Sequence, residues 1–74
     1  MSIIVPTYNE VALIQAFLLQ LRDRAPDAEI IVVDGGSSDG TREQARELCD
    51  RLIVANRGRA KQMNAGAAAA SGRT

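Results

Sequence analysis

The sequence predicts an α/β fold in which a parallel sheet is covered by helices on both faces. Three short apolar runs, at residues 3–5, 30–33 and 52–54, are rich in β-branched side chains, and a segment with helical spacing follows each of them. Strands that alternate with helices across short loops are typical of a parallel sheet built from right-handed βαβ units. The chain is therefore expected to form a three-layer half-Rossmann βαβαβα unit with about three strands.

The composition is that of one small soluble domain. The chain has 74 residues, of which 46% are hydrophobic and 24% charged, as is usual for globular proteins. Nine basic and nine acidic residues give a formal net charge of zero, which argues against a general nucleic-acid or membrane-surface binder. The single cysteine, Cys49, excludes an internal disulfide and predicts a small buried side chain in a reducing cytoplasm. No apolar run approaches the roughly 18 residues that cross a bilayer.

The first unit begins with a short buried strand at residues 3–5, which ends at Pro6. Asn9 is a suitable N-cap for the helix that follows. That helix is expected to end before Pro26. Its apolar stripe has three- and four-residue spacing and consists of Val11, Ile14, Leu18 and Leu21, with Phe17 alongside.

The second unit contains the most apolar strand. The run at residues 30–33 is uninterrupted, which predicts a strand covered on both faces. It is followed by a loop at residues 34–40 that is rich in Gly, Ser and Asp. Thr41 is a predicted N-cap, with Gln44 at the spacing of a capping box.

The third unit combines a short strand with a basic helix. The strand is predicted at residues 52–54 and the helix from about Arg59 to Ala70, where the small side chains of residues 67–70 would allow close packing on the sheet. The segment from Asn56 onward has no carboxylate and contains four cations, Arg57, Arg59, Lys61 and Arg73. Such a run suits a solvated helix face and, equally, a local anion site.

The three strand ends predict a common ligand site, because open parallel sheets bind ligands outside the carboxyl ends of their strands. These ends, at residues 6–10, 34–39 and 56–58, offer an aromatic ring, carboxylates, hydroxyls and a guanidinium. A nucleoside diphosphate requires such a mixture for its base, ribose and phosphates.

Each of these features can also be explained by a purely structural role that involves no ligand. Asp34 could cap its own turn, and the glycines of its loop could serve backbone geometry alone. The loop has neither the G-x-G-x-x-G spacing nor the P-loop ending. The residues by themselves thus predict a nucleotide-binding-like α/β domain and no particular reaction.

Three motifs resemble those of family 2 glycosyltransferases of the GT-A fold. The stretch at residues 2–10, SIIVPTYNE, resembles the opening strand of that family and the Pro, hydroxyl, aromatic, Asn and acidic residues after it. The stretch at residues 30–41, IIVVDGGSSDGT, resembles its second strand and loop. Residues 56–58 and 60–72, with Asn64, Gly66, Ala70 and Gly72, resemble its third helix and the turn before it.

The resemblance implies that residues 1–74 are the N-terminal nucleotide-sugar-binding portion of an enzyme that transfers a sugar from a UDP- or GDP-linked donor to an unknown acceptor. The aromatic motif would lie beside the base and ribose, the acidic loop would contact both, and the cations would face the diphosphate. The implied nucleotide-binding residues are Pro6, Thr7, Tyr8, Glu10, Asp34, Gly36, Asp39, Arg57, Arg59 and Lys61.

The chain departs from the family pattern in two places. Gly35 stands where the family usually has a second acidic residue, which leaves the base identity open. The D-x-D motif that holds Mn²⁺ or Mg²⁺ in the family, and its later general base, do not occur in residues 1–74. The chain is therefore expected to be an inactive fragment without metal ligands or catalytic residues. Its parent protein is expected to be cytoplasmic, with membrane association as the alternative.

The family's sheet order places a fourth strand beside the first. Without it, the first strand would be an open apolar edge, which predicts self-association through residues 3–5. The alternative to an enzyme is a non-catalytic nucleotide-binding or interaction module of the same fold.

Overall fold

The structure is a computed structural model that describes residues 1–70, and three strands alternate in it with three helices. The strands are β1 (Ser2–Thr7), β2 (Glu29–Asp34) and β3 (Arg51–Val54); the helices are α1 (Val11–Arg24), α2 (Thr41–Arg46) and α3 (Arg59–Ala70). The strands are parallel, with β2 at the centre. The predicted βαβαβα unit is therefore confirmed. Gly72 and Arg73, which belong to the predicted third motif and cationic run, lie outside the described residues.

The central strand is covered on both faces, as its uninterrupted apolar run predicts. Residues 30–33 are all fully buried. On one face, Ile30 and Val32 form a core with Ile14 and Leu18 of α1 and with Ala45 of α2. Because side chains alternate along a strand, Ile31 and Val33 face the opposite side.

The opposite face is covered by α3, which approaches the sheet at Gly66. A Cβ atom at this position would lie 2.4 Å from Cγ2 of Ile4 and 3.1 Å from Cγ2 of Val33, so the packing admits only glycine here. Gln62, one turn earlier, is also buried. The alanine run does not make this closest approach, since Ala67 and Ala68 are exposed.

Both predicted N-caps are wrong. Asn9 has a left-handed backbone, with φ of 49°, and Glu10 occupies the N-cap position of α1. Helix α2 has its N-cap at Gly40, whose φ is 93°, and neither helix has a side-chain cap from its own N-cap residue. The Thr41 hydroxyl instead accepts a hydrogen bond from the Glu10 N–H at 2.8 Å. Polar side chains at these positions join the two loops instead of capping their own helices.

Within the described part of the chain, no strand pairs with the outer edge of β1. The carbonyl groups of Met1 and Thr7 accept hydrogen bonds from Glu29 and Gly35, so the odd-numbered peptide groups face β2 and the even-numbered ones face outward. Pro6, which has no N–H, lies on the outward side, where proline is tolerated in a strand. Phe17 of α1 is 47% exposed and helps to line a groove of about 230 Å³ along this edge.

Cys49 is half-buried against the face of the sheet that α1 and α2 cover. Burial raises the pKa of its thiol, which keeps it protonated and a poor nucleophile. It therefore packs as a small apolar side chain. Within residues 1–70, no helix has both the length and the apolar character that crossing a membrane requires.

Candidate functional site

The carboxyl ends of the strands lie side by side, as the parallel topology predicts. Thr7 pairs with Asp34, and Asp34 pairs with Val54, so the three following loops begin at the same level. Between the first and third of these loops lies a pocket of about 260 Å³, called the Tyr8 pocket below. It is lined by Pro6, Thr7, Tyr8, Glu10, Arg57, Gly58, Arg59 and Gln62.

An aromatic ring and a guanidinium meet in the Tyr8 pocket. The Arg57 guanidinium carbon lies 4.6 Å from the centroid of the Tyr8 ring, a cation–π contact. Gly58 follows with a φ of 144°, which favours glycine, and Arg59 begins α3. No carboxylate within residues 1–70 forms an ion pair with Arg57, Arg59 or Lys61. The pocket lining therefore has two guanidinium groups and one carboxylate, that of Glu10, and its excess positive charge lies close to a helix N-terminus, an arrangement that suits an anion.

Asp34 lies beneath the site and its carboxylate is fully occupied by the protein. Its side chain is fully buried. One oxygen accepts hydrogen bonds from the hydroxyls of Thr7 and Ser37, and the other from the N–H groups of Gly36 and Ser37. Burial alone would raise the pKa of Asp34, but these hydrogen bonds outweigh it and hold the pKa below 3.8. The geometry favours the turn-capping alternative for this residue.

The first and second loops are joined by hydrogen bonds. Asn9 donates its N–H to the Ser37 hydroxyl at 2.8 Å, and its side-chain carbonyl accepts the N–H of Ser38 at 2.9 Å. The left-handed backbone of Asn9, which asparagine tolerates, makes both bonds possible. Since Asn9 follows Tyr8 directly, these bonds hold the backbone next to Tyr8 in place.

Asp39 holds the start of α1. Its carboxylate accepts the N–H of Val11 at 3.2 Å, and it also accepts the N–H and hydroxyl of Thr41. The bond from the Thr41 hydroxyl is the main cause that lowers the pKa of Asp39 below its ordinary value. Asp39 thus supplies a helix cap from a neighbouring loop.

Gln62 is a site residue that sequence reasoning missed. Its side-chain nitrogen donates to the carbonyls of Thr7 at 2.9 Å and Val33 at 2.8 Å, and its oxygen accepts the N–H of Gly58 at 3.1 Å. The amide therefore connects the ends of β1 and β2 with the turn that precedes α3. One signal could have found it, because Gln62 lies four residues before Gly66 and so occupies the same face of α3.

The departure from the family pattern at Gly35 has a structural explanation. A Cβ atom there would lie 3.1 Å from Oε1 of Gln62 and 3.2 Å from Cα of Arg57. Both contacts are tighter than ordinary van der Waals packing. Gln62 and the backbone of Arg57 therefore fill the space into which a side chain at residue 35 would project.

The ten predicted site residues fall into two groups. The lining of the Tyr8 pocket includes Pro6, Thr7, Tyr8, Glu10, Arg57 and Arg59. The four others lie outside that lining: Asp34 and Gly36 below it, Asp39 at the start of α1, and Lys61 on the exposed surface of α3. Nucleotide contact by any of the ten stays a prediction.

The described residues do not fit a divalent metal. No group of three His, Cys, Asp or Glu side chains within residues 1–70 could hold one. Asp34, at a strand end, has both oxygens engaged by protein donors.

Comparisons with known proteins agree with the sequence motifs. Residues 2–74 match the profile of glycosyl transferase family 2. The chain is 42% identical over 52 residues to glycosyltransferase AglJ of Haloferax volcanii, covering 70% of this chain and 17% of AglJ. It is 45% identical over 42 residues to undecaprenyl-phosphate mannosyltransferase of Micrococcus luteus, covering 57% of this chain and 17% of the relative.

A third relative is validoxylamine A glucosyltransferase of Streptomyces hygroscopicus subsp. limoneus, 44% identical over 57 residues, covering 73% of this chain and 13% of the relative. The matches thus span less than a fifth of the length of these relatives. No solved structure matches the chain significantly. Because the family profile extends over nearly every residue, the chain belongs to glycosyl transferase family 2.

Proposed function

We propose that this chain is the nucleotide-binding portion of a glycosyltransferase that moves a sugar from a nucleoside-diphosphate donor to an acceptor. The observation that supports this most strongly is the Tyr8 pocket, in which an aromatic ring lies beside two arginines that have no carboxylate partner within residues 1–70. The ring offers a stacking surface for a base. The guanidinium groups of Arg57 and Arg59 offer paired N–H donors to phosphate oxygens.

Glu10 is the acceptor that we assign to the ribose. It lines the pocket and is exposed, so its carboxylate can accept hydrogen bonds from ribose hydroxyls. Asp34 and Asp39 act differently in this proposal. Their carboxylates hold the loops that place Tyr8 and make no direct contact with the nucleotide. Only the loop backbone that they hold in place reaches it.

The relatives differ in the sugar that they transfer and in the acceptor, so their names identify neither for this chain. Their names specify transfer of mannose in one and of glucose in another, to acceptors named as undecaprenyl phosphate and validoxylamine A. We propose a UDP- or GDP-linked donor, and a cytoplasmic site of action for a whole protein that also associates with a membrane. The free thiol of Cys49 fits such a reducing compartment.

Calorimetric titration with UDP and with GDP tests the proposal. We expect binding that weakens about tenfold in Arg57→Ala, because a charge-assisted hydrogen bond to phosphate is lost. Arg46→Ala is the matched control, since Arg46 is exposed on α2 away from the pocket. A folded sample that binds neither nucleotide, or an equal effect of both variants, would contradict the proposal.

The same titration with and without Mn²⁺ addresses the metal. The family resemblance implies Mn²⁺ or Mg²⁺ for the full-length enzyme, whereas residues 1–70 have no ligand group for either. We propose that nucleotide binding by this chain is independent of metal. A strong requirement for Mn²⁺ would contradict that statement.

A non-catalytic interaction module is the second candidate, and the open edge of β1 favours it. Outward peptide groups and a groove lined by Ile3, Ile4, Val5 and Phe17 could pair with a second copy of the chain. This self-association stays a prediction. Light scattering after size exclusion should show a dimer or larger species at high micromolar concentration, and a clean monomer would contradict it.

A further inference from the structure

Gln62 is a buried neutral amide at the base of a charged pocket. Its residue is 4% exposed, although it helps to line the Tyr8 pocket. Both donor hydrogens and one acceptor position of its side chain are engaged by backbone groups. A side chain with this many hydrogen bonds is held in one conformation, and it restrains the backbone groups to which it is bonded.

The three partners of Gln62 are each adjacent to a residue that the proposed site uses. Thr7 precedes Tyr8, Val33 precedes Asp34, and Gly58 lies between Arg57 and Arg59. One amide thereby fixes the relative position of the stacking ring, the buried carboxylate and the basic turn.

We propose that Gln62 is the positioning residue of the nucleotide site, and that it sets the basic turn at residues 57–59 against Tyr8. The proposal rests on the proposed function for its role in binding. It acts through the Gly58 N–H, because the Gly58 carbonyl is already held by the backbone N–H of Gln62 and the side-chain bond restrains the other side of this permissive glycine, whose φ is 144°. Without the side-chain bond, the peptide group between Arg57 and Gly58 is no longer held, so Arg57 can move away from the Tyr8 ring.

Only glutamine among the common side chains fits these contacts. A glutamate of the same length would direct a carboxylate at the carbonyls of Thr7 and Val33, and an asparagine would be one methylene too short. A methionine would fill the volume and make none of the hydrogen bonds. Gly35 belongs to the same arrangement, because a Cβ atom there would press on Oε1 of Gln62.

The test uses Gln62→Met and the intrinsic fluorescence of Tyr8. The sequence has one tyrosine and no tryptophan, so the signal belongs to the pocket alone. We expect affinity for UDP to fall about tenfold, comparable with the loss of a charge-assisted hydrogen bond to phosphate. Gln44→Met makes the same chemical change at an exposed position of α2 and should leave the affinity unchanged.

A double-mutant cycle separates positioning from general stability. If Gln62 acts through the basic turn, Gln62→Met should weaken binding by less than about threefold when Arg57 is already alanine. If Gln62→Met lowers the affinity for UDP by the same factor in both backgrounds, the proposal is overturned. Unchanged affinity in the single variant would also overturn it, provided that the original chain binds UDP.

A ligand-free measurement keeps this inference separate from the proposed function. Arg57 covers part of the Tyr8 ring, so acrylamide should quench Tyr8 more strongly in Gln62→Met, to the level seen in Arg57→Ala. Gln62→Asn, which keeps an amide but is one methylene shorter, is the second variant should the methionine variant not fold. If UDP does not bind but quenching rises in this way, the proposed function fails and the positioning role stands. Unchanged quenching in a folded variant would overturn the positioning role.

Discussion

The two loops beside Tyr8 use their charges in opposite ways. The acidic loop, residues 34–40, directs both of its carboxylates at protein donors: Asp34 is completely buried, and Asp39 holds Val11 and Thr41. The basic turn, residues 57–59, has two arginines with no carboxylate partner within residues 1–70. One loop is therefore a scaffold, and the other presents charge to the solvent.

This difference decides which residues a ligand can reach. A carboxylate with four protein hydrogen bonds has no favourable position left for a ribose or a base. A guanidinium that lies over an aromatic ring and has no ion-pair partner within residues 1–70 can exchange the ring contact for a phosphate at low cost. Substitutions in the acidic loop should change stability first, whereas those in the basic turn should change affinity first.

The largest expected effect is that of Asp34→Ala. It removes the acceptor of two hydroxyls and two N–H groups in a buried setting, and we expect the free energy of unfolding to fall by about 3 kcal/mol or more. Chemical denaturation measures this. Arg57→Ala should stay within about 0.5 kcal/mol of the original chain. If both variants lowered the free energy of unfolding equally, the proposed difference between the acidic loop and the basic turn would be contradicted.

A smaller loss is expected for Ser37→Ala. The Ser37 hydroxyl accepts the Asn9 N–H and donates to Asp34, so its removal should cost about 1–2 kcal/mol in the same measurement. Ser38→Ala is the control, because only the backbone of Ser38 takes part in a hydrogen bond to Asn9. A Ser38 variant as unstable as the Ser37 variant would show that the hydroxyl contact between the loops is unimportant.

The smallest effect concerns acid stability. The pKa values of Asp34 and Asp39 are lowered in the folded chain, so each carboxylate adds stability above an ordinary pKa of 3.8, and this is lost as pH falls through the folded value. Asp50 contributes in the same direction, through the Ile30 N–H and Arg22. Unfolding free energies from about pH 6 to about pH 2 should fall less steeply in Asp34→Asn. Arg57→Ala should leave the slope unchanged, and a variant Asp34→Asn with the original slope would contradict the scaffold role.

The fold could be predicted from the sequence because its signals are local. The apolar run at residues 30–33 requires burial on both faces, and its burial confirms this. The predicted range of α3, Arg59 to Ala70, agrees with the structure. The N-caps were wrong because Asn9 and Thr41 can bond within their own helix or across to another loop, and only the tertiary structure selects between these.

The site could be predicted only in part, for the same reason. The convergence of strand ends follows from topology, and it placed Tyr8 and Arg57 in one pocket. The sequence does not show that Asp34 is turned inward, because an aspartate in a loop has the same pattern whether it faces a ligand or its own backbone. Gln62 was missed because its role depends on the backbone carbonyls of Thr7 and Val33, which are 55 and 29 residues away in the chain.

The most direct test is a titration of the ¹⁵N-labelled chain with UDP. ¹⁵N–¹H correlation spectra recorded at each step report the shift change of every backbone amide. If the basic turn and Tyr8 form the binding surface, the largest shift changes should occur at the amides of Tyr8, Gly58 and Arg59. The amides of Ser37 and Ser38 should change little, because each already donates to a side-chain oxygen of the protein. Large changes confined to the acidic loop, with Tyr8 and Gly58 unaffected, would contradict the central claim.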